Sequence, residues 1–386
     1  MSEDDNGPGA VAGRVSTGVA GLDEILHGGV PEGRIYLIHG EAGTGKTTTG
    51  LQFLQAAARK GKRALCITLL QTLSEIEDVA ASHGWSLDGV ELMELPRDVR
   101  EAATMGQTVF TTADVELGEV ADALERTIAE HEPDCLFIDS LSELGVLVDT
   151  GYQLRRQLIR LKERLDNLSC TTLLSAGPSG GADIRSLETL VHGVVGLEMI
   201  APEFGKPRRR IIVSKMRGMD FIGGYHDARI VHGGLVVFPR ILAPEQARAA
   251  SGHMMPSGNA QIDSLLGGGL EAGSTCAVLG TSGAGKSTLS AMYAYAAARE
   301  GIPSALLCFD ERPETFMTRA AGLGMEIDSF VRDGVIGLRQ MSVGEVSAGE
   351  LNHTIRQAVE ENDVRLVVLD SISGYLQSMP GAQGLI

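Results

Sequence analysis

The chain has 386 residues, with 33 Lys and Arg against 50 Asp and Glu and a formal net charge of −17. A hydrophobic share of 43% beside 22% charged residues excludes a wholly disordered chain, and no stretch of about 18 uninterrupted apolar residues marks a membrane span. The acidic balance argues against a protein whose main task is coating nucleic acid, because neutralising phosphates takes clustered Lys and Arg.

Residues 1–14 open with MSEDDNGPGA, an acidic tail without an apolar signal segment. It is expected to be disordered, and a cytoplasmic location follows by default. A lead-in from Ser16, GLDEILHGGVPEGR, runs into a Gly-rich loop. Residues 34–40 (RIYLIHG) read as a buried strand ending in Gly. Residues 47–61 read as a helix with Ala and Leu at helical spacing and a Gly stop. A strand over 63–70, helices over 73–84 and 118–133, and a strand over 134–140 follow. An amphipathic helix over 152–168 precedes a strand over 170–177. The β-branched runs at 193–200 and 208–216 predict a hairpin. Its basic triplet, Arg208, Arg209 and Arg210, reads as a hairpin or subunit contact.

The chain then repeats itself. SGNAQIDSLLGGGLEAGSTCAVLGTSGAGKST (257–288) restates the lead-in and loop, and Lys46 and Lys286 stand 240 residues apart. The first copy spans 15–239, a Pro- and Ala-rich linker spans 240–255, and the second copy spans 256–386, 94 residues shorter than the first. The second copy predicts a strand over 274–280, a helix, a strand over 303–311, a helix, and a strand over 365–371. Strands alternating with helices imply βαβ units and a mainly parallel sheet covered on both faces. The five cysteines, Cys66, Cys135, Cys170, Cys276 and Cys308, lie in or beside apolar runs and are expected as buried, reduced thiols.

Residues 40–47 (GEAGTGKT) and 280–287 (GTSGAGKS) both fit GxxxxGK[ST], each after a predicted strand and before a predicted helix. Glycines let backbone N–H groups converge on phosphate oxygens, and the following helix points its positive end at the same place. The residues expected around the phosphates are Gly43, Thr44, Gly45, Lys46, Thr47 and Thr48, and Ser282, Gly283, Ala284, Gly285, Lys286, Ser287 and Thr288. Lys46 and Lys286 reach the outer phosphates, while the Thr47 and Ser287 hydroxyls ligate Mg²⁺. An apolar strand ending in an acid supplies the second Mg²⁺ group: LFID ends at Asp139 and VVLD at Asp370. The implied ligands are ATP and Mg²⁺.

The tandem arrangement, the GLDEILHGGVPEGR lead-in, both loops and the paired IDSLS and LDSIS strand ends resemble the KaiC family of RecA-like ATPases, over nearly the whole chain. The resemblance implies an α/β fold with two tandem RecA-like P-loop lobes, each a mainly parallel sheet flanked by helices, the second incomplete at its C-terminal end. It implies a homo-oligomeric ring, usually a hexamer, with ATP between neighbouring subunits. It places two acidic residues after the second strand to activate a water or hydroxyl. Asp310 and Glu311 match in copy two; Leu70 and Gln71 stand there in copy one, where Gln71 can orient a water but cannot take its proton. The resemblance sends Lys215 and Arg217 across the subunit boundary to the γ-phosphate, and gives Ser82 a nucleotide contact. Met219 and Phe221 depart from the family's Thr and His near the base. Serine/threonine autokinase activity is implied too, but its acceptors would lie past the 16 residues that follow Asp370. A slow ATP-driven signalling or timing switch is the leading expectation; a non-catalytic ATP-binding scaffold and a RecA-like DNA-dependent ATPase are the alternatives.

Overall fold

A computed structural model describes residues 13–69, 71–95, 113–141, 151–177, 187–201, 206–241, 252–342 and 344–377. The chain divides into two compact units, Met1–Ala201 with Pro207–Arg240, and Pro202–Lys206 with Ile241–Ile386. The acidic tail up to residue 12 and linker residues 242–251 lie outside the described residues.

In unit 1 the lead-in forms β1 (Arg14–Val15), α1 (Ala20–Ile25) and β2 (Val30–Pro31). The alternating part follows as β3 (Ile35–Gly40), α2 (Lys46–Arg59), β4 (Ala64–Thr68), α3 (Leu73–Ser82), β5 (Val90–Glu94), α4 (Ala113–His131), β6 (Cys135–Asp139), α5 (Gly151–Asn167) and β7 (Thr171–Ala176). The chain continues as β8 (Gly193–Ile200), β9 (Arg208–Met216), β10 (Tyr225–Val231) and β11 (Gly234–Phe238). These build one nine-stranded sheet ordered β11-β10-β9-β8-β3-β7-β6-β4-β5. The six strands from β8 to β5 are parallel; β9, β10 and β11 extend the sheet antiparallel.

The central strands read as unbroken apolar runs because helices cover both faces. Side chains alternate between two cores, as a period of two requires. Leu37, Leu65 and Leu136 join Leu124, Ile128, Leu161 and Leu165 of α4 and α5 on one face. Their neighbours Ile38, Cys66 and Phe137 join Ile25, Leu51 and Leu54 of α1 and α2 on the other. The approach of α2 to β6 is close: a Cβ built on Gly50 falls 2.2 Å from Cζ of Phe137, so only glycine lets this helix lie so near its sheet.

The predicted β8–β9 hairpin forms, with an irregularity between Val194 and Val195 that leaves Ser214 as the extra residue. β5, β10 and β11 were not predicted. β5 is an edge strand of half-buried residues, and β10 carries His, Asp and Arg, so neither shows an apolar run.

Unit 2 contains β12 (Met254–Met255), α6 (Ala260–Leu265), β13 (Leu270–Glu271), α7 (Lys286–Arg299), β14 (Ser304–Cys308), α8 (Pro313–Gly322) and α9 (Ile327–Arg332). β15 (Ile336–Gln340), α10 (Ala348–Glu361), β16 (Leu366–Asp370) and α11 (Ile372–Gln377) complete it. Its sheet has three parallel strands ordered β15-β14-β16.

Two expectations are corrected here. Residues 274–280 form no strand, and Leu279 is 90% exposed. The equivalent strand in unit 1, β3, lies between β7 and β8; among the described residues of unit 2 no counterparts flank the segment, and an extended chain without a hydrogen-bonding neighbour is not a strand. For the same reason Cys276 is exposed, whereas the other four cysteines are buried free thiols as expected.

Candidate nucleotide-binding site

The lead-in of each unit is tied by one aspartate. Asp23 Oδ1 accepts from the Thr17 backbone N–H at 2.7 Å, and Asp263 Oδ1 accepts from that of Ser257 at the same distance. The Gly28 and Gly268 amides each donate to the carbonyl of that aspartate at 2.7 Å.

In unit 1 the Gly-rich loop leaves the carboxyl end of β3 and turns into α2 at Gly45, whose φ of 109° only glycine adopts without strain. Lys46 folds back over the loop, its Nζ donating to the Gly40 and Glu41 carbonyls at 2.8 and 2.9 Å. Burial pushes the Lys46 ammonium below its usual range, and the Asp139 charge opposes that shift. Thr44 donates to the Glu41 carbonyl at 2.8 Å. The Thr47 hydroxyl donates to Asp139 Oδ2 at 2.5 Å, and Ser175 of β7 donates to Asp139 Oδ1. Asp139 is only 5% exposed, so two hydroxyls partner a carboxylate that burial alone would disfavour. Thr48 turns inward, with its hydroxyl 3.4 Å from His83 Nε2. Gly43 has an open face and a φ of 76°, and its carbonyl accepts from Arg209 Nε and Nη2 at 3.2 and 3.0 Å. Sequence reasoning missed this contact, since 166 residues separate the partners and no spacing announces it.

Unit 2 reproduces the loop. Gly285, with φ 92°, precedes α7, and Lys286 Nζ donates to the Gly280 and Thr281 carbonyls at 2.9 and 2.8 Å. Residues 281–285, Ser282, Gly283 and Ala284 among them, are exposed, while Ser287 and Thr288 at the start of α7 are half-buried. Asp370 ends β16 as Asp139 ends β6, and in both the following peptide bond is cis. Among the described residues no hydrogen bond joins Ser287 to Asp370.

The other expected site residues scatter. Leu70 lies outside the described residues. Gln71 follows β4, and its side-chain oxygen is buried without a hydrogen-bond partner among the described residues. Asp310 Oδ2 accepts from the Ser371 hydroxyl at 2.7 Å, and Glu311 pairs with Arg319 at 2.7 Å. Ser82 ends α3, exposed, with its hydroxyl donating to the Val79 carbonyl at 2.7 Å. Met219 and Phe221 pack against the core beneath α1 and α2, as does Trp85.

Lys215 and Arg217 lie toward the opposite end of the strands from the loop of their own unit. Met216 pairs with Gly193, which pairs with Tyr36 near the start of β3, whereas the loop leaves β3 at Gly40. Four residues of strand put about 13 Å between those levels. Lys215 Nζ donates to the Glu188 and Val191 carbonyls and Arg217 Nη2 to that of Thr189. Burial, with Arg217 nearby, lowers the Lys215 pKa.

The donor set suits Mg²⁺. Each candidate site offers one carboxylate and one hydroxyl at a helix N-terminus, hard oxygens that leave the cation most of its water. Among the described residues no cluster of three His, Cys, Asp or Glu offers a fuller cage. The loop amides, the helix end and the lysine suit a polyphosphate.

A family model described as "ATPase: KaiC" matches residues 15–241 and again 255–383. A protein named circadian clock oscillator protein KaiC from Picosynechococcus is 26% identical over 382 residues, covering 96% of this chain and 73% of that protein. Circadian clock oscillator protein KaiC 1 of Synechocystis is 27% identical over 381 residues, covering 95% and 71%. The KaiC of Prochlorococcus marinus is 26% identical over 376 residues, covering 95% and 74%.

Proposed function

The chain belongs to the KaiC family of ATPases, and from that premise we propose that both units bind Mg·ATP, that hydrolysis is slow, and that nucleotide governs assembly into a ring that acts as a signalling or timing switch. The observation that carries the reading is the Thr47–Asp139 pair, 2.5 Å apart at the N-terminus of α2 and behind Lys46. Thr47 and Asp139 in unit 1, and Ser287 and Asp370 in unit 2, would hold Mg²⁺, which when bound would neutralise charge on the outer phosphates.

The chain's own residues do the rest. Loop amides and the helix end hold the phosphates. Lys46 and Lys286 exchange their carbonyl partners for phosphate oxygens. In unit 2, Glu311 accepts a proton from the attacking water at a carboxylate oxygen, with Asp310 beside it. In unit 1, Gln71 orients water but accepts no proton. A positioned base contributes about 10²- to 10⁴-fold, so unit 1 turns over more slowly than unit 2. Lys215 and Arg217 of one subunit serve the nucleotide of the next. Transfer to a serine or threonine of the protein itself is a family trait for which no acceptor is identified among the described residues. The Gln71 oxygen, buried and without a hydrogen-bond partner among the described residues, favours a second reading for unit 1, in which that unit does not turn over and ATP only holds a scaffold together.

Lys46→Ala tests the reading. Losing a charge-assisted hydrogen bond to phosphate should weaken Mg·ATP binding by about tenfold or more and reduce ATP-dependent assembly, read by fluorescence titration and light scattering. Unchanged affinity and assembly would remove unit 1 as the organising site. Single-turnover rates of wild type and Glu311→Gln separate a slow enzyme from a scaffold in both units, for which both rates are equal and near zero.

A further inference from the structure

Glu311 is held at both oxygens. Its Oε2 accepts from Arg319 Nη2 at 2.7 Å and its Oε1 from Arg319 Nε at 3.2 Å, a two-pronged pair that fixes the carboxylate plane. The two side chains are only 31% and 25% exposed. Arg319 is fixed in turn, with its guanidinium carbon 5.1 Å from the ring centroid of Phe316, a core residue of α8. Asp370 on β16 and Cys308 on β14 lie within electrostatic reach of the guanidinium, and Asp310 is tied separately by Ser371.

The internal repeat supplies a comparison inside one chain. At the 240-residue offset, Glu311 corresponds to Gln71, Arg319 to Val79 and Phe316 to Ile76. Ile76 and Phe316 are both buried core residues, and Val79 packs against the same core as Ile76. The helix position therefore accepts a valine without loss of the fold. Carboxylate and guanidinium are both present in unit 2 and both absent in unit 1.

We infer that Arg319 is a positioning residue for Glu311, holding its carboxylate in the one orientation that meets the attacking water in unit 2. The inference rests on the proposed hydrolytic role of Glu311. A glutamate with three side-chain torsions samples many orientations when unpaired, and a misplacement of about 1 Å can cost about 10²-fold in rate. Lysine supplies the charge without the fork, so it restores attraction but not the carboxylate plane.

The test uses the full chain and the valine that unit 1 already carries. The turnover lost in Glu311→Gln defines the contribution of unit 2. Arg319→Val should lower that contribution about tenfold or more in kcat, with KM and the Mg·ATP affinity from fluorescence titration within about twofold of wild type. Arg319→Lys should fall between, and Arg319→Val should cost nothing further in a Glu311→Gln background. Two results would overturn the inference: an unchanged kcat in Arg319→Val beside an inactive Glu311→Gln, or an equal loss in both backgrounds together with weakened ATP binding, which marks a packing role. Full turnover in Glu311→Gln is a different outcome, removing the hydrolytic role of Glu311 and the positioning of Arg319 with it.

Discussion

His226 is 1% exposed, and its ring is held on both sides: Nδ1 accepts from the Arg240 amide at 2.9 Å, and Nε2 donates to the Ile222 carbonyl at 2.9 Å. Burial lowers its pKa from the usual 6.5, and burial also lowers those of His39 and His192. The folded chain therefore keeps these rings neutral where the unfolded chain takes up protons. Stability should be flat above about pH 7 and fall as pH drops through about 6.5, by up to about 1.4 kcal/mol per pH unit for each ring that stays neutral. Denaturant midpoints between pH 5 and 8 check this, and His226→Asn should flatten part of the slope. A midpoint that rises on acidification contradicts it. None of these rings could be assigned from the sequence, where a lone histidine in an apolar run carries no spacing signal. Lys46, Thr47 and Asp139 were legible because phosphate and cation chemistry demand those residue types in that order; Arg209 was not, because its contact with Gly43 depends on a sheet extension with no motif.

The elements tell a similar story at larger scale. β3, β4, β6 and β7 were readable because burial on both faces forces an apolar run, and the hairpin of β8 and β9 because β-branched residues cluster there. The segment 274–280 stands where β3 stands in the first copy, directly before the Gly-rich loop, and still forms no strand, since pairing depends on neighbours that the segment itself does not encode. Its thiol reports that difference. Cys276 is exposed, while burial raises the thiol pKa of Cys135 and Cys170 to about 12 and that of Cys308 to about 11. A thiol-reactive dye on the native protein should label one cysteine rapidly and the rest only on unfolding. Cys276→Ser should abolish the fast phase. Rapid labelling of a second site would show that a buried strand opens readily.

For the whole molecule, the placement of Lys215 and Arg217 at the opposite strand ends from their own loop makes a prediction about mixtures. Subunits with Arg217→Ala keep an intact loop, and subunits with Lys46→Ala keep an intact basic pair. Mixed, the two should recover part of the turnover that each lacks alone, because one contributes the loop and the other the cation. No recovery on mixing would return the basic pair to a purely structural part in its own hairpin. The same polarity has a further consequence. In the proposed ring, an interface that joins the loop of one protomer to the basic pair of the next would be directional, so an unclosed arc of n protomers would contain n − 1 furnished junctions and two dissimilar ends. Only closure would furnish all n, and catalytic output per protomer would then gauge how many arcs have shut.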